Sequence, residues 1–248
     1  KIIKKLVNGY VLLVKHAFSE KFVSDVKKKI KLFWKNNPNT FHKMLEGCPD
    51  YHRIITPEIA KNYSVGAVRH TTYFFKWNKD PCNILEPIYE RWRYSKYLAG
   101  LDFFQFENNT PKDGIIDRVQ IVCYPPRYGG VEVHRDTIGN NPLAISCYLS
   151  SLKNKDFKSG GFYCVDKKNK KINLESHINT GDISLYCASI DHGVDSIDQD
   201  SDYRDYDWYS GEGRWWMGLF TNDSNVKKNR NTSVSLDTYH AEKFIKKK

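Results

Sequence analysis

The 248-residue chain carries a formal net charge of +10, and its residues are 40% hydrophobic and 14% aromatic. That content, with sixteen Tyr, thirteen Phe and six Trp, excludes a disordered protein and suffices for one large domain. No apolar run comes near the roughly eighteen residues of a membrane-spanning helix, which excludes that class too.

The charge is uneven. Residues 1–50 hold eleven lysines against four acids (+7), residues 227–248 seven basic against two acidic residues (+5), and residues 51–226 come to −2. The basic excess therefore lies in the flanks. Nucleic-acid binding through them is one reading; a solvated lysine surface is the one we expect, with no nucleic-acid partner. The six cysteines (48, 82, 123, 147, 164, 187) form no CxxC pair, and four sit in apolar runs, so free thiols are expected. With no signal peptide or span in view, a soluble, cytoplasmic chain is the expectation.

The chain opens with an apolar run over residues 9–14 that reads as a strand. Ser19 then precedes Phe22, Val23, Val26, Ile30, Phe33 and Trp34, whose spacing predicts an amphipathic helix capped by Ser19 and ended by Asn36-Asn37-Pro38. Residues 40–80 show no clear period apart from Thr71-Thr72-Tyr73-Phe74-Phe75, a candidate strand. His42, His52 and His70 fall in this region without ligand-like spacing and read as surface or packing histidines. Residues 81–98 read as a helix burying Ile84, Leu85, Ile88, Trp92 and Tyr97.

From about residue 116 the pattern turns to short strands between turn signals: 116–124, 131–135, 143–150, 160–165, 183–189 and 214–221. This predicts a β-sandwich or barrel with a helical N-terminal cover. Within it, His134 and Asp136 lie two apart on an extended segment and project to one side. A third ligand would complete the two-histidine-one-carboxylate set that holds non-haem Fe(II) with coordination positions open. The best candidate is His192, at the end of another strand-like run. Alone the HxD pattern is weak, since a strand-end His beside a turn-forming Asp is commonplace.

The surroundings strengthen it. Gln120 to Pro126, His134-Arg135-Asp136-Thr137, the apolar run 143–149, Gly160-Gly161-Phe162, Asn179 to Tyr186, His192-Gly193-Val194 and Gly213 to Phe220 follow in order. Together they resemble the Fe(II)- and 2-oxoglutarate-dependent oxygenases over residues 116–222. The resemblance implies a mainly β fold with flanking helices. Its core would be a double-stranded β-helix (jelly-roll, cupin-like) at 116–222, between a helical or mixed support region at 1–115 and a basic extension at 223–248.

For function the resemblance implies that His134, Asp136 and His192 bind Fe(II), with 2-oxoglutarate and O2 as cosubstrates and ascorbate as a stimulant. Succinate and CO2 would be released as a substrate is hydroxylated or desaturated. Arg214 would bind the distal carboxylate, its guanidinium fork matching a carboxylate. It follows His192 by twenty-two residues, farther than the family's arginine usually does, and residue 216 is Trp where Arg-x-Ser is common. The accompanying hydroxyl is therefore assigned to Tyr124, which shares a strand face with Arg118, Gln120 and Val122; Ser146 and Tyr148 are the other candidates. Arg204 is a rival to Arg214, set in a polar loop.

The acid- and aromatic-rich segment 195–212 reads either as a solvated hairpin or as a lid whose acids meet a cationic substrate. Asp136 separates the chain from halogenases, which have a small residue there. Nucleic-acid demethylases carry a second arginine where this chain has Phe220. A protein hydroxylase and a catalytically silent jelly-roll module are the remaining alternatives. The expected protein is a monomeric or weakly dimeric hydroxylase of a small metabolite, cationic if the lid reading of 195–212 holds.

Overall fold

A computed structural model describes residues 1–201 and 206–236. Among these are four α-helices, α1 (Ile2–Val7), α2 (Glu20–Asn36), α3 (Pro57–Ala60) and α4 (Leu85–Leu98). The strands are β1 (Leu12–Val14), β2 (Tyr51–Ile55), β3 (Ala67–Phe74), β4 (Ile115–Tyr124), β5 (Gly130–Arg135), β6 (Leu143–Tyr148), β7 (Gly161–Val165), β8 (Lys171–Asn173), β9 (Ile183–Cys187), β10 (His192–Asp195), β11 (Arg214–Asp223) and β12 (Val234–Ser235).

The strands form one curled antiparallel sheet in the order β1-β9-β6-β11-β4-β3-β5-β10-β7-β8. β3 makes the bend. Its residues 70–74 pair with β4, while Ala67 and Val68 pair with β5. One half, β9-β6-β11-β4, thus faces the other, β5-β10-β7-β8, and Ala144, Tyr148 and Tyr186 of the first meet Phe162 and Cys164 of the second. This is the expected double-stranded β-helix.

β4 and β11 are covered on both faces, and the alternation of side chains divides each into an apolar face and a mixed one. Val119, Ile121 and Cys123 of β4, with Trp215, Met217 and Leu219 of β11, join the main core beneath α2 and α4. The opposite faces point into the barrel, in the register Arg214↔Tyr124, Trp216↔Val122 and Phe220↔Arg118. The shared face expected for Arg118, Gln120, Val122 and Tyr124 is therefore the barrel interior.

α2 follows its periodicity. The Ser19 hydroxyl accepts the Phe22 N–H, and Val23, Val26, Ile30, Phe33 and Trp34 are buried. Trp34 stacks on His70 at 3.7 Å between ring centres and on Trp215 at 5.1 Å, and its Nε1–H donates to Thr72. α4 begins at Leu85 rather than 81, because the Asp80 carboxylate accepts the N–H groups of Cys82, Ile84 and Leu85 and holds the chain in a turn. Tyr97, expected inside, is exposed and stacks on Phe103; Tyr89 and Lys96 are buried in its place.

Further differences are local. The first predicted strand shortens to β1, and β6 and β9 stop two residues before the predicted ends. His192 opens a strand rather than ending one, after a turn at 188–191. The short β2, β8 and β12 were not anticipated. β12 pairs with β5, bringing the C-terminal segment alongside His134. All six cysteines are free thiols, five of them buried.

Candidate metal centre

β5 and β10 lie antiparallel with His134 opposite His192, which sets the two rings 4.3 Å apart between centres. Asp136, one residue beyond the end of β5, completes the group. Its Oδ1 is 3.7 Å from His134 Nε2 and its Oδ2 is 3.6 Å from His192 Nε2. One ligand atom from each of the three lies within 4.8 Å of the others. The structure therefore brings together the three residues predicted as ligands.

The tautomers follow from the backbone. His134 Nδ1 is 2.8 Å from the carbonyl of Glu132, and His192 Nδ1 is 2.8 Å from that of Ile190. A carbonyl can only accept, so each Nδ1 carries hydrogen and each Nε2 presents a lone pair to the shared point. Burial, then the neighbouring His192, pulls His134 down to about 4, so its ring is neutral at pH 7. Two imidazole lone pairs and one carboxylate on one side of a point suit Fe(II). Ser233, just before β12, donates to Asp136 Oδ1 at 3.0 Å and orients that carboxylate.

These three side chains border a cavity of about 60 Å³ that extends to Arg214 and includes Tyr124, Ser146 and Tyr186 on its wall. Arg214 is fully buried. Its Nε donates to Glu175 Oε1 at 2.7 Å, and Nη2 is also 2.7 Å from that oxygen. Nη1 makes no hydrogen bond. Glu175 thus holds one side of the guanidinium and leaves the other unengaged. The rings of Tyr124 and Tyr148 flank it, their centres 5.8 and 5.7 Å from the guanidinium carbon. Gly213 and Gly161 make this possible. Gly213 (φ 109°) starts β11 against the Tyr124 carbonyl, and Gly161 (φ 105°) leaves the space that the Glu175 side chain occupies.

Of the hydroxyl candidates, Tyr124 and Ser146 both line the cavity. Burial raises the Tyr124 phenol above its ordinary pKa, with Arg69 and Arg214 pulling the other way. Tyr148 instead bonds Ser184 at 2.7 Å. Tyr186, given no role of its own in the sequence reading, stands 5.1 Å from the His192 ring and faces Ser146. Arg69, Glu175 and Ser233 were also missed. No motif carries them; only the register of β3 and the paths of 174–178 and 223–236 bring them here.

For the segment 195–212 the sequence leaves a solvated hairpin and a lid as alternatives. Asp195 pairs with Lys171, Asp198 accepts the N–H groups of Lys158 and Ser159, and Asp207 accepts that of Tyr209. Trp208 and Tyr209 pack on the buried His52–His70 pair. Among the described residues of 196–212, none lines the cavities at the metal ligands. Asp202, Tyr203, Arg204 and Asp205, with the Arg204 alternative, lie outside the described residues.

No known protein family and no curated protein matches the chain by sequence. Solved structures do match. A prolyl-4-hydroxylase from Pseudomonas putida aligns over 89% of this chain and 96% of its own, at 10% identity and TM-score 0.52. A prolyl hydroxylase from Trichoplax adhaerens, in complex with a hypoxia inducible factor peptide fragment, aligns over 90% and 87%, at 13% and 0.54. SnoK, a non-heme alpha ketoglutarate dependent carbocyclase from nogalamycin biosynthesis, aligns over 97% and 88%, at 11% and 0.53. The fold is that of the 2-oxoglutarate-dependent oxygenases.

Proposed function

We propose that this protein is an Fe(II)- and 2-oxoglutarate-dependent dioxygenase that hydroxylates or desaturates a small molecule. The observation that carries the reading is the convergence of His134, Asp136 and His192, with both Nε2 lone pairs turned to one point by carbonyl-bound Nδ1–H groups. The shared fold supports it. Iron bound there with 2-oxoglutarate and O2 supplies oxidative decarboxylation and the oxidation of a substrate C–H bond.

The chain's own groups position and shield that chemistry. The unengaged Nη1 of Arg214 receives the distal carboxylate of 2-oxoglutarate, and the Tyr124 hydroxyl adds a donor. Ser146 and Tyr186 form the polar side of the passage between arginine and metal. Phe162, Ile145 and Trp216 keep water from the rest of it. Intact Asp136 leaves no ligand position vacated for halide, so oxygen insertion or desaturation is the expected outcome.

The test is succinate formation from 2-oxoglutarate by the purified protein with Fe(II) in air. The wild type is expected to give slow turnover without a primary substrate, and His192→Ala none. Equal succinate from both proteins contradicts the reading.

A further inference from the structure

A second cavity, of about 140 Å³, shares His134, Asp136 and Arg69 with the first and is walled besides by Arg118, Gln120, Asn141 and Asn222. Two arginines face it. Arg91, Arg93, Arg135 and Arg214 each meet a carboxylate; among the described residues neither Arg69 nor Arg118 does. The Nε atoms of both are buried and lack a hydrogen-bond partner, as does Asn222 Oδ1. Arg118 is fixed in place. Its Nη2 donates to Gln120 Oε1 at 3.1 Å, and its guanidinium lies between the rings of Tyr73 and Phe220, 5.1 and 5.5 Å from their centres.

Two guanidinium groups facing one small space repel each other, and the one carboxylate on its wall, Asp136, is turned to His134, His192 and Ser233, so burial adds to the cost. Burial, with Arg69 and Arg230 beside it, weighs against the charge on Arg118, partly offset by Tyr73 and Tyr51. An oxyanion in the cavity would relieve both terms and receive the unengaged donors. Of the acids of 195–212, Asp195, Asp198 and Asp207 are engaged elsewhere.

We propose that this cavity is a substrate subsite for an oxyanion, a carboxylate or a phosphate, held by Arg69 and Arg118 beside the metal ligands. The word substrate here rests on the oxygenase reading; the anion site itself does not. The charge is opposite to that which the lid reading of 195–212 implies. Anchoring an anionic group there places a neighbouring C–H bond of the same molecule next to the metal.

The test is thermal unfolding of the Mn(II)-loaded protein with 2-oxoglutarate present, titrated with inorganic phosphate and separately with acetate. At least one anion is expected to raise the midpoint saturably, and which one does so separates phosphate from carboxylate. In Arg118→Gln its apparent dissociation constant is expected to weaken about tenfold or more, with the stabilisation by 2-oxoglutarate unchanged. Asn222→Asp places a carboxylate inside the cavity, and is expected to raise the midpoint and abolish the anion response.

The proposal is overturned if neither anion stabilises the wild type, or if both variants respond as the wild type does. It is also overturned, with the assignment of Arg214, if 2-oxoglutarate no longer stabilises Arg118→Gln but still stabilises Arg214→Gln. A normal anion response with no response to 2-oxoglutarate in the wild type leaves the anion site standing and removes the oxygenase reading.

Discussion

The Asp136 carboxylate is oriented by Ser233, a residue outside the patterns that make His134, Asp136 and His192 legible in the sequence. Ser233 belongs to a segment whose sequence shows only charge, and it reaches Asp136 because β12 pairs with β5. Replacing Ser233 with Ala is expected to weaken Mn(II) binding about tenfold, since outer partners fix the orientation of ligating carboxylates. Unchanged affinity by calorimetry would mean that Ser233 does not hold Asp136. Glu175 was silent for a similar reason: it stands in a polar stretch after the Lys-rich hairpin tip. Its pairing with Arg214 is almost wholly buried, so Glu175→Gln leaves a buried positive charge. A loss of about 3 kcal/mol in denaturant stability is expected. Added 2-oxoglutarate should then stabilise this variant more than the wild type, because its carboxylate replaces the missing charge. Equal stabilisation of the two proteins contradicts the place given to Arg214.

At the scale of elements, long periodic segments were readable and short ones were not. α2 has five buried residues at helical spacing and a serine cap, and β4 and β11 are ten-residue strands, largely buried, each with one apolar face. β8 and β12 are three and two residues long, and their pairing comes from neighbours rather than from their own pattern. β2 carries charged and histidine residues yet is held against β3, where His52 and His70 meet. Beside this pair Asp50 accepts N–H groups of Phe75 and Asn78. Burial pushes its carboxyl up to about 6 from 3.8. A carboxyl raised in the folded state binds its proton more tightly there than in the unfolded chain. Its contribution to stability is therefore present below pH 3.8 and lost as pH rises through about 6. Asp50→Asn keeps both acceptor bonds and removes the titration. It is expected to raise stability at pH 7 by roughly 2 kcal/mol while changing little at pH 4. A similar gain at both pH values contradicts this account of Asp50.

For the whole molecule, the order of strands and turns conveyed the fold, while neither the charge balance nor the acids of 195–212 identified the substrate. The excess of lysine in the N-terminal flank is broken up by acids: Lys21 pairs with Asp25, Lys27 with Asp156 and Lys15 with Asp182. Such a surface is solvated and screened, so no shift of duplex DNA or RNA is expected at an ionic strength of about 0.15 M. A complex retained there would return the nucleic-acid reading to consideration. The acids of 195–212 suggested a cationic substrate because they lie near His192 in sequence, but the sheet curls so that the interior receives Arg69 and Arg118 from β3 and β4. Local sequence does not encode which loop faces a cavity; the long-range register does.

In the proposed function, three side chains from β5, its end and β10 hold one metal to which 2-oxoglutarate can chelate. The most direct measurement of that binding is anaerobic titration of the protein with Fe(II) and then 2-oxoglutarate, followed by visible absorption. The account predicts a charge-transfer band that needs both additions, is lost in His134→Ala and in His192→Ala, and is weakened in Arg214→Gln. A band that persists in both histidine variants, or fails to form in the wild type, contradicts it.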